Sequence, residues 1–187
     1  MTFKIRQMQF SDFNKVIHFA DKWIGANYYN QQNLPEILEL GQLNNMNACL
    51  VALDSSTNEL VGIRIVHAPE KWLNKYHGRI NPKQWSLPED DIGYFKSLFI
   101  ADKYQGQGLG KALSKASIHI LKQMGAKGII CHSWLESPNN SSMRYLEKMG
   151  FEHVANHPKF WHDIDYLCSG CGKPKCVCTA AEMLLRL

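Results

Sequence analysis

The strand-like run Tyr94-Phe95-Lys96-Ser97-Leu98-Phe99-Ile100-Ala101, followed three residues later by Gln105-Gly106-Gln107-Gly108-Leu109-Gly110-Lys111, decides the fold. The second segment is a glycine turn that opens a helix. Leu109, Ala112, Leu113, Ala116, Ile120, Leu121 and Met124 recur behind it at three- and four-residue steps. A helix start leaves about four backbone N–H groups without partners and carries partial positive charge. Glycines let the backbone close on an anion without interference from Cβ, so the turn is built to cradle phosphate. Two other phosphate loops do not fit. A Walker A loop needs a glycine where Gln105 stands and a Ser or Thr where Ala112 follows Lys111. The dinucleotide fingerprint would place its third glycine at Lys111. A tight turn without a ligand is the plain alternative.

Working outward, Phe3 to Met8 alternates and predicts a strand. Ser11 is placed to cap a helix whose apolar face is Phe13, Val16, Ile17, Ala20, Trp23 and Ile24, ended by Gly25. A short helix from Pro35 to Leu40 follows, with Gly41 beyond its end. Ala48 to Leu53 and Leu60 to Val66 read as an antiparallel hairpin around Asp54 to Asn58. Residues 67–93 form an irregular, aromatic-rich insertion with Pro69, Pro82 and Pro88 among Trp72, Tyr76 and Trp85. It is either a binding loop or a cover packed by its own aromatics. After the long helix, ended by Gly125, come a strand at Gly128 to Trp134 and a helix from Asn139 to Met149. Two final strands are read at Phe151 to Trp161 and Thr179 to Leu187. The order β-α-α-β-β-β-α-β-α-β-β predicts a mixed α/β sheet with helices on its faces, read as one domain over residues 1–187.

Gln105 to Gly110 resembles the Gln/Arg-x-x-Gly-x-Gly/Ala loop of the GNAT superfamily of acyl-CoA N-acyltransferases. The resemblance extends to both sides, over about residues 94 to 155. Ser97-Leu98-Phe99-Ile100 is similar to the strand whose backbone pairs with the pantetheine arm of the coenzyme. Asn139-Asn140-Ser141-Ser142-Met143-Arg144-Tyr145-Leu146-Glu147-Lys148-Met149-Gly150-Phe151 is similar to the family's Asn-containing helix ending in Glu-Lys-x-Gly-Phe. The resemblance implies a mostly antiparallel sheet with one splayed parallel pair, Tyr94–Ala101 and Gly128–Trp134. It implies acetyl-CoA held by Leu98, Phe99, Ile100, Gln105, Gly106, Gln107, Gly108, Leu109, Gly110, Lys111 and Asn139. It also implies acetyl transfer to a primary amine of a small molecule or protein. Backbone N–H near Phe99 or Ile100 would polarise the acyl carbonyl. Asn139 is equally placed to cap the last helix.

An amine with a pKa of ~10.4 is almost wholly protonated at neutral pH, so attack needs a base or a water chain. Asp90, Asp91, Glu136 and His132 are candidates, and no spacing singles one out. The family often carries a tyrosine general acid five residues before the final Phe, where this chain has Leu146. Tyr145 is one residue off, about 100° around the helix, and no acid is assigned.

Six cysteines divide into two kinds. Cys49 and Cys131 stand singly in apolar strands as buried thiols. Cys168-x2-Cys171-x4-Cys176-x-Cys178 gathers four within eleven residues, with Gly170, Gly172 and Pro174 to bend the backbone. Four cysteines suit a tetrahedral structural Zn2+, here as a knuckle-like clip between the last two strands, with free thiols or redox disulfides as the alternatives. His153, His157 or His162 could replace one ligand. A net charge of +4 suits an anionic cofactor and is too small to indicate nucleic-acid binding. The apolar runs are far short of a membrane span and the first residues do not resemble an export signal. A cytoplasmic protein with reduced thiols and no membrane partner is therefore expected, with room for a homodimer. Two other classes stay open: a non-catalytic acyl-CoA-binding sensor, favoured by the absent tyrosine, and a zinc-knuckle nucleic-acid adaptor using Lys173 and Lys175.

Overall fold

The structure is a computed structural model and describes residues 2–76, 78–168 and 170–187. It opens with strand β1 (Phe3–Gln7), helices α1 (Phe13–Trp23) and α2 (Leu34–Leu40), and a two-residue hairpin of β2 (Gln42–Leu43) and β3 (Met46–Asn47). Strands β4 (Leu50–Asp54), β5 (Leu60–His67) and β6 (Ile92–Ile100) follow. The second half contains helix α3 (Leu109–Gln123), strand β7 (Gly128–Trp134), helix α4 (Ser141–Lys148) and strands β8 (Glu152–His157) and β9 (Ala180–Arg186).

Seven strands form one sheet in the order β1-β4-β5-β6-β7-β9-β8, in which β6 and β7 are the parallel pair and the other neighbours are antiparallel. This is the mixed sheet that the element order predicts, with the mostly antiparallel pairing that the family resemblance implies. Side chains alternate across a strand, so its two faces are distinct. A Cβ on Gly62 would meet Leu109 and Leu113, and one on Gly93 would meet Leu121, which places α3 over one face. Helix α4 joins it there: Tyr145 reaches back to Gly110 and Ser114. Helices α1 and α2 pack on β5 from the other side. Beyond them, segment 68–91 covers that face with the fully buried Trp72 and Trp85, which cluster with Ile92, Tyr94, Ile130 and Leu184.

Local chemistry moves several element ends. Helix α1 follows a short turn at Phe10–Asp12, and Asp12 rather than Ser11 organises it. Its carboxylate accepts from Gln9 N at 2.9 Å and from both terminal nitrogens of Arg6 at 2.6 Å. The β2–β3 hairpin turns on Asn44 and Asn45, both left-handed, a conformation asparagine tolerates. Strand β8 ends at His157 instead of running to Trp161, because Pro158 has no N–H to give the sheet and Lys159 is left-handed. Asn139 does not cap α4. It lies in a short turn before the helix, and Ser137 Oγ accepts from Ser142 N at 3.1 Å instead.

Candidate active site

The parallel pair defines the site. Register runs from Ile92↔Gly128 to Phe95↔Cys131 and stops there. Strand β6 continues on β5 and β7 continues on β9, so the two part beyond Phe95 and Cys131. Leu98, Phe99 and Ile100 therefore have β5 on one side and no paired strand on the other among the described residues.

On the α3 side, the glycine turn closes the end of β6. Gln105 Nε2 donates to Ile100 O and to Asp102 Oδ1, each at 3.0 Å, and Gln107 Nε2 donates to Lys103 O at 2.7 Å. Both glutamines thus brace the loop. Gly106 and Gly108 have φ of 72° and 81°, and a Cβ on either would meet nothing within 4 Å. The space before the turn is open. The first bond of α3 runs from Ala112 N to Gly108 O at 2.9 Å, so the preceding N–H groups lie at its free end, with Leu109 buried and Lys111 exposed. Asn139 sits between β7 and α4 with its side chain exposed. Tyr145 faces this region. Its hydroxyl oxygen is 2.9 Å from Gly110 O, to which it donates, and 2.8 Å from Ser114 Oγ. Burial raises its pKa. Leu146, at the position of the family's tyrosine, is 3% exposed in the core. Arg64 lies beneath with its guanidinium 3.3 Å from the Phe95 ring centroid, pushed down to about 10 by burial.

The opposite face carries a second group of titratable side chains. His132 is the first β7 residue past the last parallel pair. Its Nε2 is 3.1 Å from Arg79 O and its Nδ1 is 3.0 Å from the Tyr94 hydroxyl. A carbonyl can only accept, so Nε2 carries the proton and Nδ1 accepts from the phenol. Burial, with the His157 ring beside it, pushes His132 down to about 3, so the imidazole is neutral. His157 donates to the fully buried Glu182 at 2.7 Å, and Glu182 also accepts from Trp85 Nε1 at 2.6 Å and Asn81 N at 3.0 Å. This carboxylate ties segment 68–91 to the sheet. Of the other sequence candidates, Asp91 lies at the unsplit end of β6 near Lys127, with Asp90 exposed beside it. Glu136 is held by Thr179 N at 2.9 Å.

The residues that sequence reading missed are tyrosines brought together by the fold. Tyr29 donates to Ser97 Oγ on β6 at 2.7 Å, and its ring lies 4.9 Å from that of Tyr28. Tyr28 in turn meets Tyr166 edge-on at 5.1 Å. The adjacent Tyr28-Tyr29 in a polar loop was the available signal.

Tyr166 leads into the cysteine cluster. The sulfurs of Cys168, Cys171, Cys176 and Cys178 all lie within 4.8 Å of one another, with Cys168–Cys176 at 3.5 Å and Cys171–Cys176 at 3.9 Å. A tetrahedral zinc with Zn–S bonds of about 2.3 Å separates its sulfurs by about 3.8 Å, whereas a disulfide needs about 2.05 Å. The spacing fits the metal. Gly170 presses on Trp134, where a Cβ would come within 2.2 Å of the indole. The Trp134 N–H is buried without a nitrogen or oxygen partner and faces Cys178, the place of a thiolate acceptor. Cys49 and Cys131 are buried thiols, pushed up to about 12 and about 11 by burial.

The fold recurs in known proteins. The chain is 36% identical over 59 residues to N-alpha-acetyltransferase 30 of Schizosaccharomyces pombe, covering 32% of this chain and 38% of that protein. It is 31% identical over 98 residues to the mycothiol acetyltransferase of Rhodococcus opacus, covering 52% and 29%. The chain thus spans under two fifths of the length of these relatives. The crystal structure of Arabidopsis thaliana NAA60 in complex with acetyl-CoA superimposes with a TM-score of 0.69 at 17% identity, covering all of both chains. The acetyltransferase (GNAT) family matches residues 16–151, well over half the sequence, and the chain belongs to that family.

Proposed function

We propose that this chain moves an acetyl group from acetyl-CoA to a primary amine. The observation that carries the reading is the parting of β6 and β7 beside an open glycine turn at the start of α3. Gln105 to Lys111 would hold the pyrophosphate on free N–H groups and the helix dipole. Leu98 to Ile100 would offer strand edge to the pantetheine arm, with Asn139, exposed in the turn before α4, as a further contact. Backbone N–H near Phe99 or Ile100 would polarise the thioester carbonyl. The amine nitrogen bonds to the carbonyl carbon, the C–S bond breaks, and coenzyme A leaves as the thiol.

The ammonium must lose a proton first. The acceptor would enter on the His132 side and give its proton to water there, because the Tyr94–His132 hydrogen bonds end on the Arg79 carbonyl, which accepts a hydrogen bond but no proton.

The four-cysteine cluster is read as a structural zinc site. Four thiolates complete the coordination and leave no position for water or substrate. Reduced thiols fit a cytoplasmic protein. Among the described residues no helix is long and apolar enough to cross a membrane.

Release of the coenzyme thiol from acetyl-CoA, followed across a panel of amines, tests the reading. Amine-dependent release is expected. Tight acetyl-CoA binding with no release for any amine would instead favour a sensor.

A further inference from the structure

If the acceptor amine approaches from the His132 side, as the proposed function requires, it meets a positive charge already in place. Lys96 is the residue at which β6 bulges: Ser97 pairs with Ile65 and Phe95 with Val66, leaving Lys96 without a partner on β5. It is also the first β6 residue past the Phe95↔Cys131 pair, at the mouth of the opening. A bulge re-aims a side chain. Here it sends Lys96 toward the acceptor face, where Nζ stands 5.5 Å from the Tyr28 ring centroid with Tyr76 nearby.

The surroundings of this ammonium are unusual. Tyr28, Tyr29 and Tyr76 face it, and among the described residues no carboxylate does. Arg6 is answered by Asp12, whereas Arg64, on the opposite α3 face, is also without a carboxylate, stacked on Phe95 with Nε and Nη2 unpartnered; Lys96 differs from it in standing at the mouth of the opening. Lys96 is half-buried, and a cation partly withdrawn from water is stabilised by an anion beside it. A tyrosine face supplies only part of that stabilisation. His67, 1% exposed, lies close by with Nδ1 buried and unpartnered, and burial together with the Lys96 charge keeps its ring neutral. It can offer a hydrogen bond without adding a competing charge. Tyr28, which shapes the Lys96 site, is backed by Tyr166 from the cysteine loop, so the wall is held from outside the sheet.

We propose that Lys96 is an anion subsite for the acceptor, and that the acceptor is an amine carrying a carboxylate near the reacting nitrogen. The carboxylate could belong to a free amino acid or to an acidic side chain beside a peptide's N-terminus. Both present the same group to Lys96 and are separated by experiment.

Two matched acceptor pairs distinguish these sources. One is γ-aminobutyrate against its amide; the other is Ala-Glu-Ala-amide against Ala-Gln-Ala-amide. In the wild type, kcat/KM is expected to favour the carboxylate at least tenfold in one pair. Lys96→Met should reduce that preference below threefold, while Lys96→Arg keeps it; Lys96→Gln replaces the Met variant if the latter does not fold. Equal turnover within both pairs, or a preference that survives in Lys96→Met, overturns the subsite while leaving acetyl transfer intact. If no amine is acetylated, the proposed function fails and calorimetry decides the subsite separately. The acetylated forms of the same four compounds are then titrated into the protein with coenzyme A present. Tenfold tighter binding of a carboxylate form, lost in Lys96→Met, supports the subsite, and equal affinities overturn it.

Discussion

At the scale of single residues, Gly108 and Tyr145 carry the sharpest expectations. Gly108 begins α3 in the left-handed region with open space before it, so Gly108→Glu would put a negative side chain where the pyrophosphate approaches. Acetyl-CoA affinity should fall at least tenfold, about 1.4 kcal/mol. Gly108→Asn is the control, because asparagine tolerates this backbone and adds no charge. Equal affinities for the two variants in calorimetry, with both folded, would remove the glycine turn from coenzyme binding. Tyr145 occupies a different place in the argument. With Leu146 in the core, the family's usual acid is absent, and the Tyr145 hydroxyl is committed to Gly110 O and Ser114. Tyr145→Phe should cost about 1 kcal/mol of stability, the worth of a lost hydrogen bond, and leave turnover within about threefold. A loss above tenfold at unchanged coenzyme affinity would make Tyr145 the acid.

At the scale of elements, the cysteine loop joins two functions that sequence distance kept apart. Chain position put it far from the glycine turn, which suggested a remote clip. In space its Tyr166 supports Tyr28, Tyr28 supports Tyr29, and Tyr29 bonds Ser97 at the opening. Loss of the metal should therefore act on the acceptor side. Purified reduced protein should contain about one zinc per chain, which elemental analysis reads directly. Cys171→Ser should shed that zinc and lower the melting temperature by about 5–10 °C, as expected for a few kcal/mol in a chain of this size. It should also raise KM for the amine severalfold while acetyl-CoA affinity holds. Metal-free wild-type protein would overturn the site. A variant that loses coenzyme binding while keeping amine KM would show that the loop serves the other face. The glycine turn, α3 and the cysteine spacing were legible because each is local, with its signal complete within about a dozen residues. The tyrosine chain was not, since Tyr28, Ser97 and Tyr166 meet only after the sheet is assembled.

At the scale of the whole molecule, the same contrast explains segment 68–91. Its aromatics marked it as either a binding loop or a cover. Nothing local could show that Trp85 would meet Glu182, nearly a hundred residues on, or that Tyr76 would lie beside His132. With the segment closed over the sheet, two histidines become part of the interior. His67 and His132 are held neutral chiefly by burial, His132 at about 3 and His67 well below its ordinary value. In the unfolded chain both return to about 6.5. Below that pH the unfolded state binds protons that the folded state does not, so stability is complete above about pH 6.5 and is lost as pH falls toward the folded values. His132 alone should remove about 2–3 kcal/mol by pH 4.5, and His67 acts in the same direction. The lowered carboxyls of Asp12, Asp54 and Asp163 contribute little in this window, since their own losses begin below about pH 4. Urea unfolding at intervals from pH 7.5 to 4.5 should show a steadily falling midpoint. His132→Gln should be less stable than wild type at pH 7.5 and lose less on acidification, because one of the two proton-binding differences is gone. A wild-type midpoint that stays level to pH 4.5 would mean that His132 titrates in the folded protein. The cover over β6, β7 and β9 would then admit protons to the His132 ring itself.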